Sequence, residues 1–343
     1  MTTEVNLSIV DQSPMRLGGP ASDALWESVK LAQIAEELGY KRYWVAEHHN
    51  SGSYTGTAPE LLIGQIAART ESIRVGSGGI MLPHYSALKV AEQFRILEAM
   101  FPDRIDLGIG RAPGSDQLTA AALSYPRPQM DVRHFPQQVT DLLGFLSGNM
   151  DNEHPLSKIQ AQPGPSPSSI PELWMLGSSD YGGRLAATMG IPFSFADFFG
   201  NTGHYGAFVT QMYRNEFQPS TYLEQPKVNV GVQVMCAPTE EEALFLATSR
   251  NLNRVFSATG QQQGLIPPDQ AVAYPLTEES RLYMERYAKG YVDGLHAHWL
   301  MRQARAILGE QALAEDFRLE TRFRYNPNVE SIIAMVPAVI ALV

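Results

Sequence analysis

Short apolar runs and amphipathic stretches alternate along most of the chain. Val5–Val10 alternates and then stays apolar, which predicts a strand. Leu25, Val29, Ala32, Ile34, Ala35 and Leu38 then form one apolar stripe, which predicts a helix with Asp23 as N-cap and Gly39 as its stop. Tyr43–Ala46 reads as a second strand, Pro59–Arg69 as a helix with proline in its tolerated first turn, and Ile73–Leu82 as a third strand. Ser86 is placed as the cap of a helix through Met100, and Ile105–Ile109 as the fourth strand. An irregular middle ends in the proline- and serine-rich loop Gln160–Pro171. The period then resumes with strands Glu172–Leu176, Ile191–Ala196 and Val228–Cys236. Helices are predicted over Tyr181–Met189, within Gly203–Phe217, and from Thr239, where T-E-E-E is a capping-box pattern with Glu242.

Seven βα units predict a parallel sheet. That number favours a closed (β/α)8 TIM barrel with insertions over an open doubly wound sheet, and no G-x-G-x-x-G follows the first strand. One domain is expected over residues 1–343, with Gln261–Ser280 as an insertion. After Val292-Asp293-Gly294 the pattern stops, and no eighth βα unit is legible in residues 294–343. Ile332–Val343 is the only apolar run left that is long enough for a closing strand, and Pro337 would remove a ladder donor in its middle. The expectation is a poorly formed closure, an exposed apolar tail, or a tail buried in a homodimer.

Composition narrows the function classes. The chain has 36 acidic and 26 basic side chains, a net charge of -10, and no basic run, which argues against nucleic acid and anionic membranes as partners. The single cysteine, Cys236, excludes an internal disulfide and reads as a buried thiol. The N-terminus shows no secretory pattern, and no apolar run reaches the roughly 20 residues of a membrane span. A cytoplasmic protein is expected.

In a parallel barrel, chemistry gathers at the C-terminal ends of the strands. Polar residues crowd those ends: Asp11, Gln12 and Ser13; Glu47, His48, His49 and Asn50; His84 and Tyr85; Arg111, Ser115 and Asp116; Gly177, Ser178, Ser179 and Asp180; and Asp197. His48 and His49 suit proton transfer near neutral pH, or they simply bond loop backbone. Neighbours on an extended segment point to opposite sides, so one faces the mouth and a shared metal is not expected. Arg111 either grips a phosphate or pairs with Asp106 or Asp116. Gly177, Ser178 and Ser179 precede a helix and offer donors to an anion, or an ordinary cap. Gly76-Ser77-Gly78-Gly79 admits a flat ligand or a neighbouring backbone.

These runs resemble the luciferase-like monooxygenases. The resemblance is carried by Tyr43-Trp44-Val45-Ala46-Glu47-His48-His49-Asn50, by Val75–Pro83, by Ala91-Glu92-Gln93, by Pro102–Asp116 and by Leu176-Gly177-Ser178-Ser179. It implies reduced FMN delivered by a separate flavin reductase, and oxygen activated on that flavin to oxidise a small organic substrate. It implies His48 as the catalytic histidine, Arg111 as the arginine on the flavin phosphate, and Gly177, Ser178 and Ser179 as the phosphate loop. Gly78, Gly79 and Ile80 would back the isoalloxazine, commonly around a non-prolyl cis peptide. A deazaflavin-dependent oxidoreductase and a barrel that only stores a flavin are the competing readings.

Overall fold

The computed structural model describes residues 6–164, 170–199, 205–235, 237, 239–288 and 338–342. Apolar residues that alternate with small or polar ones build strands β1 (Ser8–Asp11), β2 (Arg42–Val45), β3 (Arg74–Met81), β4 (Ile105–Gly110), β5 (Glu172–Gly177), β6 (Phe193–Ala196) and β7 (Val228–Val234). These seven pair in sequence order, each parallel to the next. Helices α1 (Ala21–Glu37), α2 (Pro59–Ala67), α3 (Ala87–Met100), α4 (Gln117–Ser124), α5 (Phe135–Ser147), α6 (Asp180–Met189), α7 (Tyr205–Glu216) and α8 (Glu240–Ala258) follow the strands. One side of each strand supplies the apolar layer under the helices: Ile9, Tyr43, Val45, Val75, Leu107, Met175, Phe193 and Val230 are buried in one core.

The other side fills the barrel. Its floor is ionic. Asp106 accepts from Arg74 Nε at 2.8 Å and Nη2 at 2.6 Å, lies 3.1 Å from Arg42 Nε, and accepts from Trp44 Nε1 at 2.9 Å. Glu172 takes Arg42 at 3.1 Å and Lys227 at 2.6 Å. Above it Trp44 and Trp174 meet edge to face at 5.4 Å, with the Arg42 guanidinium 5.3 Å from the Trp174 ring centre.

Several predicted details change. Asp23 lies in the first turn of α1 rather than at its cap, because Pro20 holds that position. Ser86 occupies the N-cap of α3 without a side-chain bond, whereas Thr239 caps α8 by accepting from Glu242 N at 3.2 Å. The irregular middle contains α4 and α5. Gln261–Ser280 is an insertion with structure of its own: Leu265 exchanges backbone bonds with Met15 and Leu17, and α9 (Pro268–Val272) and α10 (Glu278–Ala288) follow. Val5, Gly203, Cys236 and residues 294–337 lie outside the described residues.

The eighth position in the ring belongs to β8 (Ala338–Leu342), which starts just after Pro337. Pro337 itself lies outside the described residues, so the expectation of a donor lost in mid-strand falls outside them too. No eighth βα unit is legible in the sequence, and the strand that takes that place is not parallel. β8 runs antiparallel to β7, with Ala338 opposite Val234 and Leu342 opposite Val230, and its other side lies beside β1.

Candidate active site

At the end of β2 the two histidines part. Glu47, 1% exposed, accepts from Met81 N at 2.9 Å, Tyr85 OH at 2.7 Å and His49 Nε2 at 2.7 Å. That carboxylate ties His49 to the end of β3. His48 turns the other way, its ring 4.8 Å from that of Tyr54, and its backbone N–H donates to Gly56 O at 2.8 Å. Its Nδ1 is buried and has no hydrogen-bond partner among the described residues. Burial pushes its pKa down to about 4, against the pull of Glu47, so the imidazole is neutral at pH 7. His84 donates to Pro113 O at 2.7 Å and braces the loop after β4.

Arg111 leaves β4 exposed, its guanidinium stacked 4.0 Å over the Tyr181 ring in the first turn of α6. Neither predicted acid takes it. Asp106 serves the floor, and Asp116 caps α4 by accepting from Thr119 N at 2.9 Å. Ser179 is the N-cap of α6 in extended conformation and makes no side-chain cap bond. Arg111 and the Gly177–Ser179 loop thus meet at one helix N-terminus, a place that favours anions.

The glycines of β3 admit backbone. A Cβ on Gly76 would lie 2.4 Å from Asp106 O, one on Gly79 2.7 Å from Gly108 O, and one on Gly108 2.2 Å from Ser77 O. A Cβ on Gly78 would lie 3.1 Å from Trp44 Cβ, and the Gly78–Gly79 peptide is cis. Ile80 packs in the helix-facing core.

A cleft of about 900 Å³ opens at the strand ends. His48, His49 and Ser178 line it; Gly78, Gly79, Ile80, Arg111, Gly177 and Ser179 do not. Gln12, Asn50, Ser115 and Asp116, expected at the mouth, line it too, whereas Tyr54, Gln233, and Arg250, Asn253 and Arg254 of α8 escaped the sequence reading. The available signal was the four-residue spacing of the two arginines on a helix with a recognised cap. Asp197, at the end of β6, is not part of the lining; burial pushes its carboxyl up to about 6.

A barrel whose strand ends gather a neutral histidine, a serine loop and paired arginines around one cleft has the architecture of a TIM-barrel enzyme. The profile of the luciferase-like monooxygenases matches residues 4–323, and the chain belongs to that family. It is 47% identical over 268 residues to the uncharacterized protein YwcH of Bacillus subtilis (strain 168), covering 78% of this chain and 79% of that one. It is 39% identical over 272 residues to the N-acetyl-S-alkylcysteine monooxygenase of the same organism, covering 79% of each. Among solved structures, apo-MsnO8 superposes with a TM-score of 0.72 at 32% identity, over 91% of this chain and 99% of that one. No helix among the described residues is long and apolar enough to cross a membrane.

Proposed function

We propose that the protein is a monooxygenase that takes reduced FMN from a separate flavin reductase and oxidises a small organic substrate with molecular oxygen. Reduced FMN, when bound, supplies two electrons, so that one oxygen atom enters the substrate and the other leaves as water. The residues present suit such a group. Arg111, fixed over Tyr181 beside the N-terminus of α6, carries the reading, with Ser178 and Ser179 next to it for a terminal phosphate. The cleft has room for a flavin-sized molecule together with a small substrate. His48 presents a neutral imidazole to it, with an unpartnered Nδ1 to accept or hand on a proton. Tyr54 packs against that ring and limits its rotation.

The test is flavin affinity. Arg111→Ala should weaken binding of reduced FMN by about tenfold to a hundredfold, the worth of a charge-assisted contact. Unchanged affinity would remove Arg111 from the phosphate site. Tighter binding of a deazaflavin than of FMN by the unaltered protein would overturn the cofactor assignment.

A further inference from the structure

Asp11, the last residue of β1, is a buried carboxylate that the proposed chemistry leaves unused. Burying such a group is costly unless donors meet it. Burial pushes its pKa up, and its donors lower it again. Oδ2 accepts from Tyr43 OH at 2.8 Å, and Oδ1 accepts from Ser13 N at 2.8 Å. The second bond closes a tight turn in which Ser13 sits at φ 50°, a left-handed conformation unfavourable for a residue with a Cβ. Ser28 of α1 donates to the Ser13 hydroxyl at 3.0 Å, so the strained residue is held through its backbone and its side chain. Gln12 and Pro14, on either side of it, line the cleft.

From this turn the bonds run on to the histidine. Ser13 O accepts from Thr55 N and from Thr55 Oγ1, both at 3.0 Å, and Met15 N donates to Ser53 O at 2.8 Å. The segment Ser53–Gly56 is thus fixed along one side by the chain after β1. On its other side, Gly56 O accepts from His48 N at 2.8 Å, and the Tyr54 ring lies 4.8 Å from that of His48. A Cβ on Gly56 would stand 2.6 Å from Ala46 O, so the segment lies directly against the end of β2. We propose that Asp11 is a positioning residue for His48: it fixes the Ser13 turn, and the turn holds the segment that anchors the His48 backbone and packs against its ring. This rests on the reading of His48 as the catalytic histidine. Burial keeps the His48 pKa at about 4, and a loosened segment would let water reach the ring and return that value toward 6.5.

Nuclear magnetic resonance of the histidine rings in the full chain reads that titration, with the His48 signal assigned by its loss in His48→Asn. In the unaltered protein the midpoint should lie below about 5. Asp11→Ala, which frees the Ser13 turn, should raise it above about 5. Asp11→Asn still offers an oxygen to Ser13 N and should restore the low midpoint. Tyr43→Phe removes the other bond to the carboxylate but spares the turn, and should leave the midpoint low. Glu47 and His49, whose charges also act on His48, are the same in all of these variants. A low midpoint in Asp11→Ala, or a high one in the unaltered protein or in Asp11→Asn, would overturn the proposal. So would a rise in Tyr43→Phe as large as in Asp11→Ala, since any loosening of the core would then suffice. Should Asp11→Ala fail to fold, Thr55→Val, which removes one of the two bonds to Ser13 O, is read in its place, and an unmoved midpoint overturns it. If His48→Asn oxidises substrate at the unaltered rate, the catalytic reading of His48 falls, while a raised midpoint in Asp11→Ala still shows that Asp11 positions the ring.

Discussion

His48 shows what one residue can be asked. His48→Asn should leave flavin binding intact and slow substrate oxidation by about 10²–10⁴-fold, the size of a general acid–base contribution. Oxidation at the unaltered rate would exclude it. Its titration gives a second handle. The folded chain keeps His48 neutral down to about pH 4, whereas an unfolded histidine protonates near 6.5. Between those values the unfolded state binds the extra proton, so this contribution to stability is complete above pH 6.5 and is lost as the pH falls through 4. Asp197, raised to about 6, works in the opposite direction over part of that range. The difference between variant and unaltered protein is therefore the informative quantity. Urea unfolding at pH 7 and pH 5 should show a smaller acid loss in His48→Asn, and equal losses would assign the slope elsewhere. His48 was legible because it ends a strand. Tyr54, Arg250 and Arg254 were not, because a loop and a distant helix reach the same cleft as His48 only once the barrel is formed.

At the scale of elements, the glycines of β3 and β4 tell why those strands lie where they do. In Gly108→Ala the new Cβ would stand 2.2 Å from Ser77 O, so the two strands must part. The expected cost is about 1–3 kcal/mol in urea unfolding. Gly64→Ala in α2 is the contrast. Its Cβ would meet only Leu97 Cδ2 at 3.5 Å, and the helix gains up to about 1 kcal/mol in propensity. If both substitutions cost the same, close strand approach is not what requires Gly108. The sequence left open whether the β3 glycines served a ligand or a backbone, because both demand a missing Cβ. Helix α5 was legible in principle, since Val139, Leu142, Leu143 and Leu146 repeat at helical spacing. Asp116 was weighed as a partner for Arg111, and that hid its role as the cap that starts α4.

At the scale of the molecule, the barrel depends on its floor and on its seam. Asp106 is 0% exposed and holds two arginines together with the Trp44 indole. Asp106→Asn should cost about 3–5 kcal/mol in thermal or urea unfolding, because cations would be left facing inward without their anion. A loss below about 1 kcal/mol would mean that Glu172 alone suffices. Deleting the chain from Ala338 onward would bare the facing edges of β7 and β1. Lower thermal stability and self-association on a sizing column are expected. A truncated protein that stays monodisperse and equally stable would show that β8 is dispensable. Seven strands and their order were legible, because each repeats one short pattern. The direction of the eighth was not, since it is set by where the chain re-enters the wall rather than by any local periodicity.

That direction decides where a tether would emerge. Strands β1 to β7 run from floor to mouth, so the antiparallel β8 delivers the chain back to the floor at Leu342. An enzyme fused directly after this point would sit at the base of the barrel, with its product released on the side away from the cleft. Seven strand residues span about 23 Å. A flexible linker needs on the order of 20 residues before its average reach matches that height. Shorter fusions would raise the local concentration of a flavin donor without handing its product directly to the mouth.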